Sequence, residues 1–160
     1  MTRLLLPAAC LGLVGSLGAQ VTTAPPLATA PALTLPAVDT ARLPNGLTIL
    51  TSRNDEVPLV SAQLLIEGGA RTAATPPGLA TFTAGMLDEG AGGRSALELA
   101  EAVDFLGASL GAGAGWDNIT ISVSGPKRTF DEAFALMADL VLRPTFASAD
   151  VARERAARQA

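Results

Sequence analysis

Residues 78–90 read GLATFTAGMLDEG, and this stretch predicts the short helix around which the rest of the chain is arranged. A pair of prolines directly before it fits the first turn of a helix, where the N–H groups have no intrahelical partner. The large apolar side chains recur at helical spacing: Leu79, Phe82, Met86 and Leu87. A second face carries Thr81, Ala84 and Gly85, and these residues decide what chemistry the helix can support.

Three strands are predicted before this helix. Residues 40–43 and 47–52 flank Pro-Asn-Gly at residues 44–46, and Asn-Gly is the strongest short signal for a hairpin turn. Residues 57–66 form the third predicted strand. Their near-continuous apolar run predicts that this strand is buried on both faces.

Two capping boxes mark predicted helices after the central one. Ser95 with Glu98 opens a helix over residues 95–106, and Thr129 with Glu132 opens another, which ends before a proline. The side chains predicted to face the core are Leu99, Val103 and Leu106 in the first helix, and Phe130, Phe134, Met137 and Val141 in the second.

One further strand and one further helix complete the pattern. Residues 118–124 alternate apolar and polar side chains, as in a half-buried strand, and follow a Gly/Ala-rich run at residues 109–115. Ser148 caps a last predicted helix, which is charged and continues to the end of the sequence. This order favours an α+β fold, a two-layer sandwich with helices packed on one face of a mostly antiparallel sheet.

The first 19 residues have the pattern of a signal peptide, so we expect an exported, periplasmic protein. Arg3 supplies the positive charge, residues 4–14 are apolar, and small residues follow, which places cleavage after Gly18 or Ala19. The apolar run is too short to span a membrane. A lipoprotein would instead be modified at Cys10, with almost no apolar segment before that residue.

Residues 20–38 predict a flexible linker, because they are rich in Pro, Ala and Thr and show no period that would bury them. The folded part is then expected over residues 39–160. The net charge of −4, with no cluster of basic residues, argues against nucleic acid as a partner. A single Cys excludes an intramolecular disulfide framework.

Several short motifs, in order, resemble the pitrilysin/insulinase family of zinc peptidases. Residues 43–48, LPNGLT, resemble its opening hairpin, and residues 68–71, GGAR, its turn after the third strand. Residues 86–90, MLDEG, resemble the exit of its zinc helix. Similar matches occur at residues 104–108, DFLGA, and at residues 143–146, RPTF. The resemblance covers residues 40 to 160 and implies that residues 39–160 are the first domain of such a protein, truncated at its C-terminus.

In that family the central helix carries an inverted zinc motif, His-x-x-Glu-His. Thr81 stands at the first His, Ala84 at the Glu and Gly85 at the second His. A Thr hydroxyl is a poor zinc ligand, Ala and Gly supply no side-chain donor, and the chain contains no His. The resemblance places a third ligand, a Glu, at or just beyond Ala160, and Gly111 stands where catalytic members carry an Asn. We therefore expect no catalytic residue, metal ligand or cofactor site in this chain.

The resemblance implies an exported, catalytically inactive homologue that binds peptides or forms the substrate chamber, paired with a catalytic subunit or as a homodimer. Zinc would be held by that catalytic partner or by a second half of this protein. An alternative is a zinc endopeptidase whose active motif follows residue 160. A third reading is a small α+β binding domain whose likeness to the family is accidental.

Three other features have a functional and a structural reading. Asp88 and Glu89 could act in acid/base chemistry or form a solvated turn. Residues 111–115, GAGAG, could cradle a phosphate, although they lead into a strand, or could mark a close approach of backbone or peptide. Glu154 and its neighbouring arginines form either a solvated helix face or a patch that faces a partner.

Overall fold

The structure is a computed structural model, and it describes residues 35–71 and 76–159. The predicted signal peptide and most of the predicted linker lie outside these residues. The described residues fall into two compact units that divide between Ser52 and Arg53, and each is considered by itself.

The first unit contains the predicted hairpin. Strand β1 (Val38–Arg42) pairs antiparallel with β2 (Thr48–Ser52), and Thr40 lies opposite Leu50. The turn is closed by the side chain of Asn45, whose Oδ1 accepts a hydrogen bond of 3.1 Å from the N–H of Leu47. This hairpin prediction is confirmed.

The second unit is built on a three-stranded antiparallel sheet. Its strands are β3 (Leu59–Glu67), β6 (Ser109–Ala114) and β7 (Asn118–Pro126), in the order β3-β7-β6. The strand predicted at residues 118–124 is confirmed, and the Gly/Ala-rich run before it forms the strand β6. The central strand β7 supplies the most buried β-branched side chains, Ile121 at 0% and Val123 at 1% exposure.

Helices and short turns connect or follow the strands of this sheet. After α1 (Leu79–Met86), a 3-10 turn leads into a two-stranded ribbon of β4 (Gly90–Ala91) and β5 (Arg94–Ser95). The remaining helices are α2 (Ala96–Phe105), α3 (Phe130–Leu142) and α4 (Ser148–Gln159). The α+β class is confirmed, with a sheet whose strands are all antiparallel. None of the helices in the described residues is long and apolar enough to cross a membrane.

The core lies between one face of the sheet and helices α2 and α3. Its buried members are Leu87, Ala91, Leu99, Leu106, Ile121, Val123, Ala133, Leu136, Met137 and Leu140. Each of the Leu, Ile, Val and Met side chains among them contributes about 1.5–3 kcal/mol when it is fully buried, so the cluster stabilises the second unit.

The prediction that the third strand is buried on both faces is wrong. Side chains of β3 alternate between half-buried and exposed over most of its length, and Leu59 and Leu65 are 62% and 57% exposed. The reason is that only one face of the three-stranded sheet meets the core, so β3 is covered on one side only. An apolar run alone does not show whether one face or both faces of a strand are covered.

The first predicted capping box is present. The Ser95 hydroxyl accepts a hydrogen bond from the Glu98 N–H, and the Glu98 carboxylate accepts one of 2.9 Å from the Ser95 N–H. The bonds from the Ser95 backbone and hydroxyl hold the pKa of Glu98 below its ordinary value. The bonds of the box are therefore stronger while Glu98 is ionised.

The second predicted capping box is wrong. Thr129 makes no side-chain cap at the start of α3, because its hydroxyl donates a hydrogen bond of 2.8 Å to the carbonyl oxygen of Leu106. This bond joins the start of α3 to the end of α2. The hydroxyl thus donates to a tertiary partner, whereas in the capping box that the sequence pattern indicates it would accept from the local N–H of Glu132.

The predicted apolar face of α3 is correct only in part. Met137 is buried, whereas Phe134 is 48% exposed and its ring packs beside Phe130, with 6.0 Å between ring centroids. The face that meets the core is turned toward smaller side chains: Ala133, Leu136, Met137 and Leu140. Because Ala133 is small, α3 can approach the sheet closely at this position.

Asp139 is a buried carboxylate that links α3 to the β4–β5 ribbon. It is 9% exposed, and it accepts hydrogen bonds from Arg94 at 3.3 Å and from Arg143 Nε at 3.1 Å. A backbone hydrogen bond joins the same two elements, because the Gly92 N–H donates to the carbonyl oxygen of Arg143 at 3.0 Å. Two arginines thus compensate the buried negative charge of Asp139.

We predict that Asp139→Ala lowers the free energy of unfolding by about 1–3 kcal/mol, since both guanidinium groups lose their acceptor but remain partly solvated. Urea denaturation followed by circular dichroism measures this loss. The matched control is Asp104→Ala, which removes an exposed carboxylate from α2. Equal midpoints for the two variants would contradict the linking role of Asp139.

We also predict a pH-dependent effect of Glu98→Gln. Because folding lowers the pKa of Glu98, the stabilisation by its carboxylate is complete above the ordinary value of 4.5 and is lost as pH falls through the lower, folded value. Urea midpoints of the wild type and the variant should therefore differ at pH 7 and converge toward pH 3. Glu101→Gln on the same helix is the control, and a difference that persists at pH 3 would refute the prediction.

Candidate functional site

The candidate site is the face of α1 that carries the three motif positions. Thr81 is exposed, Gly85 is half-buried and Ala84 is 1% exposed. Thr81 and Gly85 lie one helical turn apart, as a pair of ligands from one helix would. Ala84 instead packs into the interior, so the three positions differ in their surroundings although they share one side of the helix.

The sequence around α1 explains why the helix is held in place. Phe82 N–H donates to Gly78 O at 2.8 Å in the first turn, and Met86 and Leu87 are buried at the end of the helix. The helix packs against β6, the strand that carries Gly111. The predicted helix is therefore confirmed over Leu79–Met86, whereas Leu87–Glu89 form the 3-10 turn and Gly90 begins β4.

The turn at residues 68–71 has a steric explanation. A Cβ on Gly69 would lie 2.5 Å from the backbone atoms Asn118 N and Gly115 O, so no other residue fits there. Ala70 N–H donates to Gly115 O at 2.8 Å, and Arg71 pairs with Asp117 at 2.6 Å. This turn fixes the end of β3 against the β6–β7 turn.

The guanidinium of Arg158, in the last turn of α4, lies against the motif face of α1. Its Nη2 donates a hydrogen bond of 3.4 Å to the carbonyl oxygen of Thr81. Its carbon Cζ lies 5.1 Å from the ring centroid of Phe82, in a cation–π arrangement. A Cβ on Gly85 would lie 3.0 Å from the same Nη2. One positively charged group therefore contacts the turn of α1 from residue 81 to residue 85.

A second arginine of α4 pairs with the exit of α1. Arg153 forms an ion pair with Glu89 and also contacts Asp150 and Glu154, and the hydrogen bond with Glu89 raises the pKa of Arg153. Glu89 is thus engaged in a structural ion pair, whereas Asp88 is exposed. These contacts favour the structural reading of both the Asp88-Glu89 pair and the charges of α4.

The donors on this face do not match zinc, the metal that the sequence resemblance implies for catalytic relatives. Zinc prefers His nitrogen, Cys sulfur and carboxylate oxygen, and catalytic sites use three such ligands. Positions 81, 84 and 85 offer one hydroxyl, a buried methyl group and no side chain. The charged group that contacts this face is a cation, which repels a metal ion.

A shallow groove of about 510 Å³ lies on the open face of the sheet. The polar side chains of three adjacent strands meet there in register, Ser61 opposite Ser124 and Ser124 opposite Ser109. Gly111 also lines the groove, and a Cβ on it would meet no atom within 4 Å. Because residues 111–114 belong to a strand and do not open a helix, the phosphate-cradle reading of this run is not supported.

Two of these features were missed by sequence reasoning. The contact of Arg158 with α1 joins residues 77 positions apart, and an isolated arginine in a charged helix carries no signal for it. The Asp139 carboxylate was overlooked as well, although an acidic residue between apolar neighbours in a buried helix was a usable signal.

The comparisons with known proteins agree with the motifs. Residues 48–160 match the family model described as Insulinase (Peptidase family M16). A Rickettsia bellii protein named an uncharacterized zinc protease is 30% identical over 115 residues, which cover 71% of this chain and 28% of the relative. A Rickettsia felis protein of the same name is 28% identical over the same shares. The chain thus spans less than a third of the length of these relatives.

Solved structures agree with the fold. The crystal structure of a peptidase M16 inactive domain from Pseudomonas fluorescens superposes with a TM-score of 0.70 and 29% identity, covering 73% of this chain and 29% of that one. A protease from Helicobacter pylori superposes with a TM-score of 0.68 and 17% identity, covering 77% and 30%. The second likeness concerns the fold alone. The family model matches more than half of the residues of this chain. The chain therefore belongs to the insulinase family of peptidases, peptidase family M16.

Proposed function

We propose that the chain is the first domain of a catalytically inactive M16 homologue that binds peptides or forms part of a substrate chamber. It does so beside a catalytic subunit of the same family or as a homodimer. The observation that carries the proposal is the set of residues at the motif positions, Thr81, Ala84 and Gly85. No ligand pair and no general base can be made from these three side chains.

The surroundings of Ala84 support the loss of catalysis. At 1% exposure its methyl group is enclosed by protein atoms, and it offers no carboxylate that could act on a water molecule. The similarity to a domain that is named inactive supports the same conclusion.

The groove on the sheet supports the peptide-binding part of the proposal. It is open, it is lined by hydroxyl groups that donate and accept hydrogen bonds, and Gly111 leaves the adjacent backbone uncovered. Such a surface suits an extended polar backbone better than a compact apolar ligand.

A second candidate function rests on the length of the relatives. The chain covers 28% of proteins that are named zinc proteases, so a longer protein could carry an intact motif in another domain. In that case this chain would be the silent first domain of an active zinc endopeptidase.

The first experiment is to measure zinc content and peptidase activity of the full-length protein, purified from the periplasmic fraction. We expect no zinc and no activity from the protein alone, and activity that rises when a catalytic homologue from the same source is added. Recovery from the periplasm tests the proposed export, with cleavage after Gly18 or Ala19 read from the mature N-terminus.

The control replaces the motif Glu of the catalytic homologue by Gln, which should abolish the activity of the mixture. Stoichiometric zinc and activity in the protein alone would overturn the inactive assignment and favour the second candidate. A full-length protein that neither binds peptides nor changes the activity of the homologue would overturn the proposed subunit role.

A further inference from the structure

We propose that Arg158 is a built-in cation that excludes divalent metal ions from the motif face of α1. The guanidinium occupies the space between positions 81 and 85, where a metal held by two ligands of this helix would have to lie. The inference rests on the proposed loss of the zinc motif. It adds that Arg158 keeps metal ions away from a face that already lacks zinc ligands.

The steric part of the argument concerns Gly85. The position at which a Cβ would stand on this residue is 3.0 Å from Arg158 Nη2, a distance tighter than ordinary van der Waals contact. The contacting atom is the end of a flexible, exposed side chain, so a longer side chain at position 85 requires the guanidinium to move aside. The absence of a side chain at position 85 and the placement of Arg158 thus fit one another.

The second part of the argument concerns what holds Arg158 in place. Nη2 is bonded to the carbonyl oxygen of Thr81, and the flat guanidinium lies over the ring of Phe82. These two contacts come from successive residues of α1 and place the guanidinium beside this face of the helix. The Arg153–Glu89 ion pair anchors the same helix, α4, to the end of α1.

The third part is electrostatic. An arginine remains charged at every physiological pH, so the repulsion does not depend on a titration. A unit positive charge about 4 Å away at a solvated surface lowers the affinity of a site for a divalent cation on the order of 10-fold to 100-fold. Restoring histidines on α1 should therefore give a poor zinc site as long as Arg158 is present.

The test compares zinc affinity in the full chain that carries Thr81→His and Gly85→His, with and without Arg158→Ala. Affinity is measured by competition with a chromophoric chelator, after circular dichroism has shown that each variant folds. We expect Arg158→Ala to tighten zinc binding at least about 10-fold. The matched control is Arg155→Ala in the same double-His background, which removes an equal charge from α4 and should change the affinity less than about 3-fold.

Two results would overturn the inference. One is an equally tight zinc site in the double-His variant with and without Arg158. The other is an equal gain from Arg155→Ala, which would assign the effect to net charge and not to the position of Arg158.

A second pair of substitutions uses a smaller ligand at position 85, in case the histidine there prevents folding. The comparison is repeated with Thr81→His and Gly85→Cys, and the same 10-fold gain is expected. A pair of substitutions that folds only in the Arg158→Ala background also supports the inference, because it shows the steric conflict directly. Zinc bound by the unmodified chain would instead refute the proposed inactive function, so the two failures are distinguishable.

Discussion

The structure of the second unit depends on one constraint, that its sheet has a single apolar face. On the central strand β7, Ile121 and Val123 are fully buried, whereas Ser122 between them is exposed. This alternation forces α2 and α3 onto the same side, and it leaves a row of hydroxyl groups on the other. Helix α1 joins the arrangement through Met86 and Leu87, which fixes the motif face relative to the strand β6.

That constraint explains how the second unit can keep the family fold with Thr81, Ala84 and Gly85 at the motif positions. The side chains that hold α1 in place are those of the core, and none of them is Thr81 or Gly85. Substitution at these two positions therefore costs little in packing, because Thr81 is exposed and Gly85 has only Arg158 within reach of a Cβ. The residues that hold the helix in place are therefore separable from the residues at its motif positions.

Patterns with a local cause could be predicted from the sequence. The Asn-Gly hairpin, the helix from Leu79, the Ser95 cap and the strand of Ile119, Ile121 and Val123 each depend on neighbouring residues, and all are present. Predictions that needed a partner distant in sequence failed. Thr129 bonds to Leu106 instead of capping its own helix, and β3 has an uncovered face that its apolar run does not reveal. The identity of the motif residues could be read directly, whereas the arginine that faces them could not.

The central claim is that the motif face of α1 is occupied by Arg158 and not by a metal. The most direct measurement is a crystal structure of the full-length protein grown with zinc, with anomalous diffraction recorded at the zinc absorption edge. We expect the Arg158 guanidinium over the ring of Phe82 and no anomalous peak beside residues 81–85. A zinc peak on this face, with Arg158 displaced from Thr81 and Phe82, would contradict the account.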